Sequence, residues 1–309
     1  MKNIYQINKK IIRSEEITDK TWISIEEPTE EDKKFLLEDL SIPIAFYNDI
    51  EDIDERPRIE VEDDWTFVLL RIPYKTTNEK SPYITVPLGI IYNDNYFVTV
   101  TFYKTDLLQD FVNYYSTRKT IEETDNLNLI LRFHLSASVW FLKYLKQINI
   151  QIKTAENDLE RSIKNEDLQT LFNLEKSLVY FNTSLRSNEI LLFRFKSSRK
   201  IKSILEEELL EDVEIELKQA IESSHIFSDI LSGMMNAYAS VISNNLNVIM
   251  KRLTSISIIL MIPTLIASIY GMNVTNHMER NPNGIYLILF GSIVLSVLGV
   301  WLFLKKKWI

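Results

Sequence analysis

The sequence contains no cysteine, only six glycines and only three histidines among its 309 residues. Without cysteine the chain can form no disulfide, thiolate nucleophile or cysteine-ligated metal site, and this composition fits a reducing compartment. The histidines His134, His225 and His277 are widely separated, and no Gly-x-x-x-x-Gly-Lys phosphate loop is present. We therefore expect neither an enzyme nor an organic cofactor.

Charge is missing from two long stretches, residues 253–272 and 285–304. At about 1.5 Å of rise per residue, a helix of that length crosses a hydrocarbon core of about 30 Å. The whole chain carries 43 acidic and 35 basic residues, for a formal net charge of -8. These features predict a lipid bilayer as one partner and argue against nucleic acid as another.

Basic residues flank the two apolar stretches and predict their orientation. Lys251 and Arg252 precede the first stretch, and Lys305, Lys306 and Lys307 follow the second. By the positive-inside rule we expect both termini in the cytoplasm and the short connection outside. Because the first residues contain no apolar run that could form a signal-peptide core, we expect the amino-terminal part to stay in the cytoplasm. With its two spans, the chain is expected to be a multi-pass protein of the inner, or plasma, membrane.

The order of these features gives the expected domain organisation. We expect a cytoplasmic α/β and helical domain at 1–200, a stalk helix at 201–252, a first span at 253–272, an outer loop at 273–284, a second span at 285–304 and a basic cytoplasmic tail at 305–309. The stalk and the first span are expected to form one helix.

The cytoplasmic part is predicted to be α+β, with a small sheet flanked by helices between about residues 16 and 103. Residues 65–72 and 96–102 are rich in β-branched and aromatic side chains, which favour strands. The cluster Asn93-Asp94-Asn95 predicts a hairpin turn just before the second of these strands.

Long helices are predicted after the sheet. Leucine, isoleucine and phenylalanine recur at three- and four-residue intervals over 126–160 and 167–195. A further helix is predicted from about residue 203, and its apolar face runs unbroken into the first span and ends near Tyr270. At 1.5 Å per residue such a helix is roughly 100 Å long, which demands partners along its length.

Polar and flexible side chains recur along the first span at steps of three and four residues, so they share one helical face. This polar face comprises Asn247, Met250, Leu253 or Thr254, Ser257, Met261, Thr264 and Ser268. In a membrane it is expected either to meet water and ions at the axis of an oligomer or to pack against another helix through its small hydroxyl residues. The spacing alone is compatible with both.

The first span ends in Tyr270-Gly271-Met272-Asn273, and here the chain resembles the CorA family of divalent-cation channels. That family carries Gly-Met-Asn at the outer end of the first of two carboxyl-terminal spans. Residues 243–254 are similar to its stalk-to-membrane segment, and residues 49–58 are similar to its acidic turn before Arg-Pro-basic. The resemblance implies a funnel-shaped homopentameric membrane channel whose first span lines the pore.

The resemblance also implies a cargo and a filter. The cargo would be Mg²⁺, with Co²⁺ or Ni²⁺ as further candidates, moving into the cell down its electrochemical gradient. Five Asn273 side chains would form a ring that selects the hydrated ion, since Mg²⁺ sheds its waters reluctantly. Gly271 would let the backbone leave the helix, and Met272 would pack beside the ring.

The resemblance places the polar face along the pore. Asn247 would lie near the cytoplasmic mouth, and Met250 and Leu253 would form an apolar constriction that gates by excluding water. Further lining positions would be Ser257, Met261, Thr264 and Ser268. Ser268 stands where the family often has glycine, so it would slightly narrow the passage.

The resemblance implies a regulatory Mg²⁺ site between subunits, held by Asp49 of one subunit and Asp212 of its neighbour. A metal bound there would favour the closed state and be released when cytoplasmic Mg²⁺ falls. Asn48 stands beside Asp49 where an acid is common, so weaker binding is expected. In the outer loop Glu279 is expected to recruit cations only weakly, because Arg280 beside it cancels most of its field.

Two other interpretations stay open at this point. A zinc-transporting relative of ZntB type would share this architecture, although such relatives often replace the methionine that this chain keeps as Met272. A membrane-anchored sensor or scaffold that no longer conducts would also share it, although the polar face argues against this interpretation.

Overall fold

The computed structural model describes residues 2–18, 21–78, 80–121, 125–161, 165–197, 205–272 and 282–306. The chain divides into two compact units, Met1–Gly233 and Met234–Ile309. The first unit contains a sheet flanked by helices, and the described residues of the second are mainly helical. The predicted fold class, an α+β domain followed by a very long helix and a carboxyl-terminal apolar helix, is confirmed.

Seven strands form one sheet in the described part of the first unit. In chain order they are β1 (Lys2–Asn8), β2 (Lys10–Ser14), β3 (Thr21–Glu26), β4 (Arg58–Glu62), β5 (Trp65–Lys75), β6 (Tyr83–Tyr92) and β7 (Tyr96–Thr101). Their spatial order is β2-β1-β3-β7-β6-β5-β4. The pair β3 and β7 is parallel, and the other neighbouring pairs are antiparallel. The sheet extends further than the sequence predicted, since β1 and β2 lie before the region in which strands were expected.

The hairpin predicted at Asn93-Asp94-Asn95 connects β6 to β7. Asn93 Oδ1 accepts hydrogen bonds from the backbone N–H groups of Asn95 and Tyr96, at 2.9 and 2.8 Å. Such bonds from an asparagine side chain stabilise a tight turn. The turn fixes the register of the two strands, in which Tyr92 lies opposite Phe97.

Helices cover both faces of the sheet. They are α1 (Glu30–Lys34), α2 (Ile44–Glu51), α3 (Asp106–Thr117), α4 (Asn126–Arg161) and α5 (Asn165–Ser197), and a π-helical turn at Phe35–Asp39 follows α1. Alternate strand residues point to opposite faces. On one face Trp22 packs edge-on against Phe111 of α3 and Phe133 of α4, with ring centroids 5.6 and 5.4 Å away. On the other face Phe46 of α2 stacks on Phe67, at 4.7 Å between centroids.

A buried polar network joins the sheet to α4 and α5. The side chain of Asn188 on α5 accepts from the backbone N–H of Arg71 at 3.1 Å and donates to its carbonyl at 2.7 Å. The Arg71 guanidinium donates to the carbonyl of Thr85 at 2.7 Å. His134 on α4 contacts the Asn188 carbonyl through Nε2 at 3.1 Å, and complete burial lowers the pKa of His134 to about 4. Paired in this way, the polar groups fix how the long helices lie on the sheet.

Among the described residues, two helices are long and apolar enough to cross a membrane, α6 (Glu207–Tyr270) and α7 (Gly284–Lys305). The prediction of one very long helix that ends near Tyr270 is confirmed by α6, which carries Pro263 inside it. Only 6% of the most apolar window of each helix is buried in the chain. Most side chains of these two apolar windows are therefore not covered by the described part of the chain.

Candidate functional site

The polar face lies on the carboxyl-terminal half of α6. Two of its hydroxyl groups bond within their own helix: Ser257 Oγ donates to the Leu253 carbonyl at 2.9 Å, and Thr264 Oγ1 donates to the Leu260 carbonyl at 3.1 Å. A hydroxyl that donates in this way still has oxygen lone pairs that can accept from water. Ser257 and Thr264 can therefore meet water while their own hydroxyl donors stay paired.

The apolar members of this face are exposed in the single chain. Met250 is 55% exposed, Leu253 is 57% exposed and Met261 is 65% exposed. Large apolar side chains at this level of exposure are expected to be covered by lipid or by another copy of the chain, or to line a hydrophobic constriction.

The helix α7 contacts a different side of α6. A Cβ added to Gly299 of α7 would lie 3.5 Å from Ile262 Cδ1 and 4.0 Å from Ile259 Cγ1. Ser255, which shares this side of α6, is fully buried. At 3.6 residues per turn, this contact side is centred about 150° around α6 from the polar face. In the second unit, α7 thus leaves the polar face uncovered.

The helix α6 ends just before the Gly-Met-Asn tripeptide. The backbone N–H of Gly271 donates to the Ala267 carbonyl at 2.9 Å, and that of Met272 donates to the Ile269 carbonyl at 3.4 Å. Gly271 has no positive φ, so the glycine is not needed for a left-handed turn. A Cβ there would instead lie 3.2 Å from the Ala267 carbonyl oxygen, which is a tight contact. The predicted filter residue Asn273 and the predicted recruiting residue Glu279 lie outside the described residues.

Asp49 lies near the end of α2 and forms an ion pair with Arg58 of the same chain. Its Oδ2 atom accepts from Arg58 Nη2, and Arg58 also pairs with Glu55 through Nη1 and with Glu60 through Nε, the last at 3.0 Å. The Asp49 side chain is 26% exposed. Partial burial raises the pKa of Asp49, and the neighbouring Arg58 charge opposes that rise.

The acidic turn after α2 is held in place from the sheet. Arg71 on β5 donates to the carbonyl of Ile53 through Nη1. Within the turn, the backbone N–H of Asp54 donates to Asp52 Oδ1 at 2.9 Å. Since Arg71 is 8% exposed and bonded to Thr85 as well, it fixes the turn relative to the sheet.

Asp212 lies in different surroundings, near the beginning of α6. It lines a crevice of about 350 Å³ between α3, α4 and α6, whose walls include the rings of Phe111, Tyr114 and Trp140. At the same crevice, Arg132 is 2% exposed and pairs with Glu206, at 2.7 Å between Nη2 and Oε2. The groups around Asp49 therefore come from α2, β4 and the turn between them, whereas those around Asp212 come from α3, α4 and α6.

Carboxylate oxygens suit Mg²⁺, which prefers hard oxygen ligands and keeps several of its waters. Across the described ranges, no group of three or more His, Asp or Glu side chains is placed to hold a metal ion. Asp49 and Asp212 each offer one acidic ligand. These residues fit a metal only if water or another copy of the chain supplies the remaining ligands.

Residues 19–306 match the family described as CorA-like Mg²⁺ transporter protein. The chain belongs to the CorA family. With its two apolar helices, it is therefore a membrane protein of a family that transports Mg²⁺ and Co²⁺.

One CorA relative resembles the chain over almost its whole length. The cobalt/magnesium transport protein CorA of Methanocaldococcus jannaschii is 25% identical over 292 residues, which cover 93% of this chain and 91% of the relative. The complete structure of the CorA magnesium transporter from the same organism has a TM-score of 0.84 at 24% identity and covers 100% of this chain and 99% of its own. That structural likeness shows the shared fold.

A ZntB structure is more distant. The cytoplasmic domain of ZntB from Vibrio parahaemolyticus has a TM-score of 0.60 at 12% identity and covers 79% of this chain and 98% of its own. At that identity the likeness shows the fold alone, so it does not favour zinc as the cargo.

Sequence reasoning found the acidic turn of this CorA chain but not the arginine side chain, that of Arg58, which pairs with it. The run of acids from Asp49 to Glu55 and the following Arg56-Pro57-Arg58 were both visible in the sequence. The pairing of Arg58 with Asp49 depends on how β4 lies beside α2, which the sequence does not state. An arginine that follows a cluster of acids and begins a strand was the available signal.

Proposed function

We propose that this chain assembles as a homopentameric channel that admits Mg²⁺, and with it Co²⁺ or Ni²⁺, down the electrochemical gradient. The observation that carries the proposal is the position of the polar face, which α7 leaves uncovered on the far side of α6. In a ring of copies with α7 outside, that face of every α6 turns towards the axis. Water and ions along the axis would then meet its hydroxyl and amide groups.

The filter is proposed at Asn273. The residue follows Met272 just beyond the end of α6, so five copies would bring five side-chain amides together around the axis. Their carbonyl oxygens would accept hydrogen bonds from the waters of hydrated Mg²⁺ without the tight grip of a carboxylate ring. Asn247 would sit at the opposite, cytoplasmic mouth, and Met250 and Leu253 would close the pathway by excluding water.

Regulation is proposed at Asp49 and Asp212, shared between neighbouring copies. Both are partly buried carboxylates outside the spans, and neither has enough acidic neighbours to hold a metal alone. A Mg²⁺ ion bound between copies only in the closed arrangement stabilises that arrangement, and its loss at low cytoplasmic Mg²⁺ favours opening.

The outer loop and the orientation complete the proposal. Both termini face the cytoplasm of an inner-membrane protein, and the connection at 273–284 faces outward, because the basic residues lie on the other side. Residues 1–200 then form the cytoplasmic domain, 201–252 the stalk, 253–272 and 285–304 the spans, and 305–309 the cytoplasmic tail. Glu279 recruits cations weakly beside Arg280.

The test is Mg²⁺ flux into proteoliposomes under an inside-negative potential, with the parent chain and Asn273→Ala incorporated to equal amounts. We expect flux in the parent and loss of selective Mg²⁺ flux in Asn273→Ala, with unchanged assembly on size-exclusion chromatography. The absence of flux from the parent even without internal Mg²⁺ would favour a sensor or scaffold instead.

A further inference from the structure

Arg58 lies at the centre of three carboxylates. Its guanidinium contacts Asp49, Glu55 and Glu60, whose side chains are 26%, 28% and 44% exposed. One positive charge therefore faces three negative charges over a few ångströms. The excess of negative charge attracts a further cation to this part of the surface.

The position of Arg58 is fixed by the sheet. Its backbone lies on β4 opposite Leu69 of β5. Its guanidinium carbon lies 5.8 Å from the ring centroid of Phe67, a fully buried side chain. The three carboxylates come from α2, from the turn held by Arg71 and from β4 itself. The arginine thus reaches Asp49 from a rigid base, and its contact with Asp49 joins two separate elements.

The contact with Asp49 uses the same carboxylate that we propose as a ligand of the regulatory ion. A divalent cation at Asp49 repels the guanidinium and competes for the Oδ2 atom that Arg58 Nη2 contacts. When Arg58 gives up Asp49, it keeps Glu55 through Nη1 and Glu60 through Nε. The exchange therefore removes one of three ion contacts and leaves the guanidinium paired.

We propose that Arg58 is a built-in competitor of the regulatory divalent ion at Asp49, and that it sets the cytoplasmic Mg²⁺ concentration at which the channel closes. The proposal rests on the regulatory role of Asp49 proposed above. It assigns Arg58 a role in the threshold of regulation and none in conduction.

The test uses the full chain in lipid nanodiscs and measures how Mg²⁺ raises its resistance to proteolysis and its thermal unfolding midpoint. Arg58→Gln removes the competitor, and Arg56→Gln is the matched control, since Arg56 lies two positions away and is exposed. We expect the half-maximal Mg²⁺ concentration to fall about tenfold in Arg58→Gln, from the removal of a charge a few ångströms from a divalent ion. The more distant charge of Arg56 is screened, so its removal should change the half-maximal Mg²⁺ concentration by less than about twofold.

Two further variants keep the outcomes distinct. Arg58→Lys keeps the charge but cannot pair with three carboxylates at once, so its half-maximal Mg²⁺ concentration should lie between those of the parent and Arg58→Gln. If Arg58→Gln does not fold, the comparison of Arg58→Lys with the parent tests the proposal. A half-maximal Mg²⁺ concentration that rises in Arg58→Gln, or that equals the value in Arg56→Gln, overturns the proposal. Arg58 would then only hold the acidic turn in position. If Mg²⁺ protects Asp49→Asn from proteolysis and heat as well as it protects the parent, the regulatory role of Asp49 itself is overturned.

Discussion

The first unit buries key polar side chains among its own residues. In the apolar helices of the second unit, most polar side chains lie at the surface instead. In the first unit, Arg71, His134 and Asn188 are buried and bonded to one another's backbones or to neighbouring strands. In the second, Ser257 and Thr264 bond only to their own helix. The first unit thus contains the interactions that stabilise it, while the second depends on lipid and, we propose, on other copies. For this reason the proposed conducting surface is one that the described helices of a single chain leave uncovered.

The largest effect is expected from breaking the core of the first unit with Trp22→Ala. Trp22 is fully buried with its ring edge-on to those of Phe111 and Phe133, and its Nε1 donates to Thr99 Oγ1 at 2.9 Å. Its removal should lower the free energy of unfolding by about 3–5 kcal/mol. Urea unfolding of the detergent-solubilised chain, followed by circular dichroism, measures the loss.

The matched control is Phe193→Ala on α5, because this aromatic side chain is 68% exposed. Its removal should change the free energy of unfolding by less than about 0.5 kcal/mol. Equal losses in the two variants would contradict the description of the core.

A smaller effect is expected from acid, through His134. Burial lowers the pKa of His134 from 6.5 to about 4. The unfolded chain therefore binds a proton below pH 6.5 that the folded chain does not accept until about pH 4. This contribution to stability is fully present above pH 6.5 and is lost as the pH falls towards 4, by about 2 kcal/mol between pH 7 and pH 5.

His134→Gln tests this pH dependence, because glutamine retains an amide donor and does not titrate. The parent and the variant should differ in how the free energy of unfolding changes between pH 7 and pH 5, with the variant less sensitive to acid. Parallel pH profiles would show that His134 is charged or exposed in the folded chain.

A third effect, similar in size to that of acid, is expected at the contact between the two spans. Gly299→Leu places a branched side chain against Ile259 and Ile262, which a Cβ at that position already approaches at 4.0 and 3.5 Å. We expect a loss of about 1–3 kcal/mol from overpacking, measured by thermal unfolding in detergent. Gly291→Leu is the control on the same helix, since nothing lies within 4 Å of a Cβ there. A similar loss in both variants would place the α6–α7 contact elsewhere.

The sequence predicted the elements with strong periodicity and missed those without it. The Asn93 hairpin and the helix that ends at Tyr270 followed from turn chemistry and from spacing. The strand Lys2–Asn8 was missed, because it lies near one edge of the sheet and mixes polar with apolar residues, so its alternation is weak. For the site, the spacing identified the polar face, but only the packing of α7 showed which side of α6 stays uncovered.

The central claim is that the polar face of α6 borders a water-filled pathway. The chain has no cysteine, so single cysteines can be introduced without a background signal. Ser257→Cys and Thr264→Cys probe the polar face, and Ile262→Cys probes the side that contacts α7. In proteoliposomes, a small membrane-impermeant cationic thiol reagent should modify the first two and reduce Mg²⁺ flux, and it should leave Ile262→Cys unmodified. Modification of Ile262→Cys at the same rate as Thr264→Cys, or no modification at the polar face during active flux, would contradict the account.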